Sequence, residues 1–343
     1  MKSKFIIFFC IIFANSILLA ENISIESKSI SIDKKTQISI FENDVIVKTL
    51  DNNVISSDYA KYDKDKGTII LKGNIEAVDN QNNIIQTSYA EYNKLINIFK
   101  SKGPTKIITS QKYIIEAEDV IFDNNKKFIN SQKNSIITDQ DNNKIYLENF
   151  SYETTNNIFK SIGLIRVKDK IDNTYNFSQI YIDTNQKILL GTDSKAYLND
   201  KTFKINNKNN PRIFSNSLEI NKEKKIFKKS VFTICGFTKD DECPPWSVQA
   251  SEMLHDNKKK TIYYDNAVIK VYNIPIFYFP KLSHPDPTVD RRSGFLPPTY
   301  TDSKNLGSGF SLPYYWAINK DRDLTFTNKI FVNENPLFLG QYR

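Results

Sequence analysis

The chain is poor in glycine, histidine, cysteine and methionine, with 10, 2, 3 and 2 of each among 343 residues. So little glycine excludes collagen-like and flexible-linker architectures. The two histidines, His255 and His284, have no obvious nucleophile nearby and no cysteine pair to complete a zinc shell. No catalytic constellation or metal site is read from them, and no cofactor is expected. Long apolar runs are also missing: the longest, Phe5–Phe13, is too short to cross a bilayer as a helix. Charged residues make up 25% and apolar ones 40%, which excludes both a bundle of membrane helices and a charged, disordered chain. The formal charge of +8 is spread along the sequence without a recognition module, so nucleic acid is not an expected partner.

What is present begins with an export signal. Lys2 and Lys4 precede the run Phe5–Phe13, and a weaker stretch, Ile17–Leu19, ends at the small residue Ala20. Residues 1–20 are expected to be a cleaved signal peptide, lost together with Cys10. Two cysteines then remain, Cys235 and Cys243, with seven residues between them. In an oxidising compartment a disulfide is expected, two unpaired cysteines being the plain alternative.

An internal repeat of thirty residues decides the architecture from about residue 45 to 200. Ala60-Lys-Tyr62-Asp63 recurs as Ala90-Glu-Tyr92-Asn93, Val120-Ile-Phe122-Asp123, Phe150-Ser-Tyr152-Glu153 and Ile180-Tyr-Ile182-Asp183. Turn signals precede them at Asp51-Asn-Asn53, Gln81-Asn-Asn83, Asp141-Asn-Asn143 and Asp172-Asn-Thr174, residues that tolerate left-handed backbone and close turns. Ile69, Phe99, Ile129, Phe159 and Leu189 keep the same step, as do the strand starts Ile55, Ile85, Ile115, Ile145 and Tyr175. Each unit reads as strand, turn, strand, turn. Within the first strand the apolar positions run i, i+5, i+7, which strict alternation would place on opposite faces. A bulge, a bend, or a strand crossing between sheets would each reconcile them. Stacked units of this kind form an antiparallel sandwich or open jelly roll, whose apolar lining is either a packed core or a route for acyl chains.

From Trp246 the texture changes. The chain reads Pro244-Pro-Trp246-Ser-Val-Gln-Ala-Ser-Glu252, His255-Asp256, Asn266-Ala-Val-Ile-Lys-Val271 and Ile274-Pro-Ile-Phe-Tyr-Phe-Pro280. Asp290-Arg-Arg-Ser-Gly-Phe-Leu-Pro297, Ser311-Leu-Pro-Tyr-Tyr-Trp316 and Asp321-Arg-Asp-Leu-Thr325 follow. In this order and spacing, the motifs resemble the LPS-assembly outer-membrane protein LptD family over roughly Cys235 to Leu324. The repeat before them resembles the OstA-like periplasmic domain.

The resemblance implies an all-β protein: a periplasmic antiparallel β-jelly roll over 22–230, a connecting segment with the cysteine pair over 231–289, and the first strands of an outer-membrane β-barrel over 290–343. The barrel material is short, so a truncated sequence is expected. The implied function is lipopolysaccharide transport and assembly at the cell outer membrane, with the N-terminal domain in the periplasm. The implied partners are lipopolysaccharide, an LptA-like periplasmic bridge protein and an LptE-like plug lipoprotein. Ala60, Tyr62, Ile69, Ala90, Tyr92, Phe99, Val120, Phe122, Phe150, Tyr152 and Phe159 become the expected lipid-contacting set. Pro297 and Pro313 match two family prolines near a lateral gate, where a missing N–H weakens a ladder. The Arg291-Arg292 pair is expected either on phosphates or on a solvated rim. Cys235 matches a family cysteine, so a link to cysteines elsewhere in a barrel competes with the local Cys235–Cys243 bridge. The competing readings are a soluble periplasmic lipid carrier without a barrel, and a surface adhesin or structural solenoid. Neither accounts for the block after Trp246.

Overall fold

The computed structural model describes residues 23–49, 51–199, 211–235, 245–286, 289, 291–296 and 298–343. The expected signal peptide, Cys243 and Pro297 lie outside them. The described residues are all β, in antiparallel pairings. It forms two compact units, one from residues up to Ser110 with Glu116–Phe128, the other from Gln111–Ile115 and Ile129 onward.

In the first unit each long strand pairs with the next: Ile38–Lys48 with Val54–Asp63, then Thr68–Val78, then Ile84–Asn93. These strands are rich in Ile, Val, Thr and Tyr, which fit a pleated, half-buried surface. Asn52 and Asn82 stand at φ of 59° and 65° in the tight turns between them, where a short polar side chain tolerates the left-handed region.

Each ladder is broken in its middle by a bulge, with register shifts between Ser56 and Tyr59 and between Lys72 and Ile75. Gly73 and Asn74 take φ of 75° and 43° there. The extra residue reverses the alternation, so Ile55 in one half-strand and Ala60 in the other are both buried. Of the three readings of the i, i+5, i+7 pattern, the bulge is realised together with a crossing between half-sheets.

The bulge line also divides the ladder into two half-sheets that close on one another. Their outer turns meet: Asn53 Nδ2 donates to Asn124 Oδ1 at 2.6 Å, and Asn97 Nδ2 to Asp51 Oδ2 at 2.8 Å. The core lies between the half-sheets.

The second unit repeats this plan. Its ladder runs through Ile158–Lys168, Thr174–Asp183, Ile188–Tyr197, Arg212–Ile220 and Lys224–Thr233. Residues expected to belong to a connecting segment add three more strands, Trp246–Asp256, Thr261–Val271 and Ile274–Pro285, with a register shift between Ile269 and Lys270 in the last pairing. Asparagines stitch successive rungs: Asn143 Oδ1 accepts from the Lys170 amide at 3.1 Å and Asn173 Oδ1 from the Asn199 amide at 2.8 Å. A separate small sheet follows, made of Gly294–Phe295, Thr299–Ser303, Gly307–Ala317, Asp323–Phe331 and Leu337–Tyr342.

Candidate functional site

Residues directly opposite in an antiparallel pair share a face, so the registers trace rows across the interior. In the first unit one row runs Tyr62, Ile69, Tyr92, Phe99, Phe122. A second runs Ala60, Leu71, Ala90, Ser101, and the Ser101 amide donates to the Val120 carbonyl at 2.8 Å. All of the expected lining set in this unit is buried except Tyr62, which is half-buried. Burial raises the Tyr92 hydroxyl to a pKa of about 12, with the nearby Asp51 carboxylate adding to it. That hydroxyl donates to Asn97 Oδ1 at 2.8 Å.

The second unit continues the pattern with Phe150, Tyr152 and Phe159, all buried. Tyr152 stacks on Phe159 with ring centroids 4.2 Å apart, and Tyr113 packs on the same ring at 6.0 Å. Tyr113 is likewise raised to about 12 by burial, then by Asp139, Asp141 and Asp183.

Followed further, the row Tyr152, Phe159, Ile182, Leu189, Ile220 changes character. Its next members are Lys225, His255, Ile262 and His284. Lys225 Nζ donates to Tyr175 Oη at 2.7 Å and stands 4.0 Å from Asp169. Burial opposes its charge, but Tyr175, Asp169 and Asp286 outweigh burial and hold the ammonium above the ordinary lysine range. His255 pairs with Asp286, and His284 Nε2 lies 2.9 Å from the Tyr264 hydroxyl. Sequence reading missed this polar end. The thirty-residue step stops before it, and nothing in the local sequence marks Lys225 as interior.

The small sheet has two unlike faces. On one, Phe295 opposes Tyr314, Tyr314 opposes Phe326, Phe310 opposes Ile330 and Trp316 opposes Leu324. Phe338 stacks beside Phe326 at 5.9 Å. Phe295, Phe310, Trp316, Phe326, Ile330 and Phe338 are all exposed. On the other face Thr299 opposes Ser311, Ser311 opposes Lys329, and Tyr315 opposes Thr325. The sheet is thus apolar on one side and mostly polar on the other, with a period of two.

Pro313 sits in the central strand of this sheet, opposite the break between Gly294–Phe295 and Thr299–Ser303, where the Leu296 amide reaches its carbonyl at 2.8 Å. Its missing N–H therefore falls where strand pairing is interrupted. The two arginines divide their work. Arg291 bonds Tyr315 Oη at 2.9 Å together with the Asp323 carboxylate, whereas Arg292 donates to Thr261 Oγ1 in the ladder. Cys235 is half-buried, its Sγ 3.9 Å from the Trp246 carbonyl oxygen.

Residues 262–336 match the family model described as LptD protein. They cover the last two strands of the ladder and four of the five strands of the small sheet. This segment is LptD-like.

Longer similarities agree. The LPS-assembly protein LptD of Paraburkholderia xenovorans is 35% identical over 124 residues, covering 36% of this chain and 15% of that protein. That of Yersinia pestis is 39% identical over 102 residues, 30% of this chain and 12% of the relative. That of Mannheimia succiniciproducens is 30% identical over 161 residues, 45% and 20% respectively. The chain thus spans at most about a fifth of the length of these LptD relatives. Among solved structures it is similar to LptH, the LptA homologous periplasmic component of the lipopolysaccharide transport device from Pseudomonas aeruginosa. The identity is 15%, the TM-score 0.15, and the coverage 50% of this chain and 82% of that one.

Proposed function

We propose that the chain acts in lipopolysaccharide transport and assembly at the cell outer membrane. The folded ladder, in the periplasm, takes acyl chains between its half-sheets, and the small sheet forms part of a laterally opening barrel. The observation that carries this reading is the LptD-like segment. It joins a ladder with an apolar interior to a sheet with one exposed apolar face. An acyl chain needs no specific polar chemistry, since each buried CH₂ contributes about 0.8 kcal/mol. Ala60, Tyr62, Ile69, Ala90, Tyr92, Phe99, Val120, Phe122, Phe150, Tyr152 and Phe159 are the proposed lining. Lipid arrives from an LptA-like bridge protein, and an LptE-like lipoprotein plugs the barrel. Pro297 and Pro313 weaken the gate. Cys235 pairs with Cys243 or with a barrel cysteine outside this sequence.

The test is photocrosslinking with a photoreactive residue at Tyr92 or Phe122 in cells making lipopolysaccharide. Adducts are expected there and not at Lys64, which is exposed in an outer turn. Equal labelling at all three positions, or none at either interior site, refutes the lipid route.

A further inference from the structure

The interior row of the second unit carries an ammonium where its earlier members carry Phe, Ile and Leu. Only 18% of the Lys225 side chain is exposed. Burying an ammonium costs more than burying hydrocarbon unless partners repay it, and a core built only for packing has no use for one.

Its partners are only partly available. Asp169 Oδ1 already accepts from the Ile171 and Asn173 amides, at 3.0 and 2.9 Å. Asp169 Oδ2 takes Asn173 Nδ2 at 2.8 Å and Tyr175 Oη at 3.2 Å. Lys225 stands 4.0 Å away, beyond hydrogen-bond reach, and among the described residues its one hydrogen bond goes to Tyr175. An ammonium has three donors.

Lys225 also lies between two cavities. One, of about 250 Å³, is walled by Phe227, Met253 and Ile262. The other, of about 450 Å³, has Val167, Ile182 and Leu189 as apolar wall, the exposed Lys187 and Lys222 as cations, and the carboxylates Asp139, Asp141 and Asp169. The Lys187 ammonium meets a neutral acceptor, Gln140 Oε1, at 2.7 Å.

We propose that Lys225 is the centre of a headgroup subsite. A phosphate of an acylated amphiphile sits on Lys225, with Lys187 and Lys222 adding positive charge at the rim, while the chains lie along the flanking apolar walls. A phosphate monoester carries about −1.5 to −2 charges and three acceptor oxygens, a match for donors that the turn carboxylates leave unused. This rests on the lipid-route reading and adds to it the place where the charged end stops.

The test is calorimetric titration of the full chain with dodecyl phosphate, with uncharged dodecyl maltoside of the same tail length, and with inorganic phosphate. Each amphiphile is kept below its micelle concentration. Dodecyl phosphate is expected to bind at least about tenfold more tightly than the maltoside, a difference of about 1.4 kcal/mol, and the preference should shrink with salt. Lys225→Gln should erase the preference. Should that variant misfold, Lys187→Gln/Lys222→Gln, both at exposed positions, should still reduce it about threefold. Equal affinities, or a preference untouched by both variants, overturn the proposal while leaving the lipid route standing. Inorganic phosphate binding as tightly as dodecyl phosphate also overturns it, in favour of a free-anion site. If neither amphiphile binds, the subsite and the lipid route fall together.

Discussion

Gly73 is the position where the bulge is most open to a single-atom test. Its φ of 75° lies in the left-handed region, and a Cβ added there would meet the Asp58 side chain, with that residue's Cβ and Cγ at 3.0 Å. Gly73→Ala should cost roughly 1–2 kcal/mol in backbone conformation. It should also lose part of the exposed hydrogen bond from Asn74 Nδ2 to Asp58 Oδ2, 2.8 Å long, about 0.5 kcal/mol at the low end for such bonds. The expected total is about 2 kcal/mol. Asp58→Ala added to Gly73→Ala removes the clash with the new Cβ but also the acceptor of Asn74 Nδ2, so most of the loss, roughly 1–2 kcal/mol of backbone cost, should remain, since removing a side chain does nothing for φ. Native-state hydrogen exchange over Val54–Asn93 reads both values locally, which suits a ladder whose rungs need not unfold together. A loss below about 0.5 kcal/mol, or complete rescue by Asp58→Ala, would refute the claim that left-handed backbone at this residue sets the bulge.

Other outcomes follow from the same contacts. Phe159→Ala removes a buried ring that touches Tyr113, Phe150 and Tyr152, and should cost about 3–5 kcal/mol in urea titration; a loss under about 1 kcal/mol would mean that the interior is not packed there. Folded Tyr92 and Tyr113 keep their protons to about pH 12, whereas unfolded tyrosine ionises near 10. Stability should therefore hold below about pH 10 and fall as pH rises towards 12, by at most about 1.4 kcal/mol per pH unit for each tyrosine. Tyr92→Phe/Tyr113→Phe should flatten that fall, and an unchanged alkaline slope would count against the assignment. Asn143→Ala removes the acceptor of the Lys170 amide and the donor to Asp139 Oδ2, 2.7 Å away. Faster exchange should appear at Lys170 and its turn without spreading to the first unit.

Much of this was legible in the residues themselves. The thirty-residue step placed Tyr62, Tyr92 and Phe122 on one row of the first unit because a turn of fixed length returns each strand to the same register. The Asx turns were legible too, because Asn and Asp supply their own hydrogen bonds: Asp79 and Asp139 each take two amides of their own turn. The bulge was only half-visible. The i, i+5, i+7 spacing showed that something reverses the alternation, but Asp58 and Asn74 carry no signal separating a bulge from a bend. The ladder's extension to Pro285 was hidden because later connections differ in length. Ile182 and Ile220 are neighbours-but-one in the row, yet they are not thirty residues apart. The turn after His255-Asp256 is locally encoded as well, since Asp256 Oδ1 takes the Lys258 and Lys259 amides. Its histidine's place beside Lys225 required strand pairing that no local pattern encodes.

The mid-strand bulge makes the ladder's length a quantity with a unit. A single inserted residue in a half-strand would turn its lining outward, but a whole thirty-residue segment carries two strands, two turns and its own bulges, and returns the next rung to the same face. Neighbouring strands lie about 4.8 Å apart, so each such segment lengthens the enclosed lining by roughly 10 Å. Duplication or deletion of whole segments would therefore adjust the ladder as one adjusts a ruler, in whole divisions.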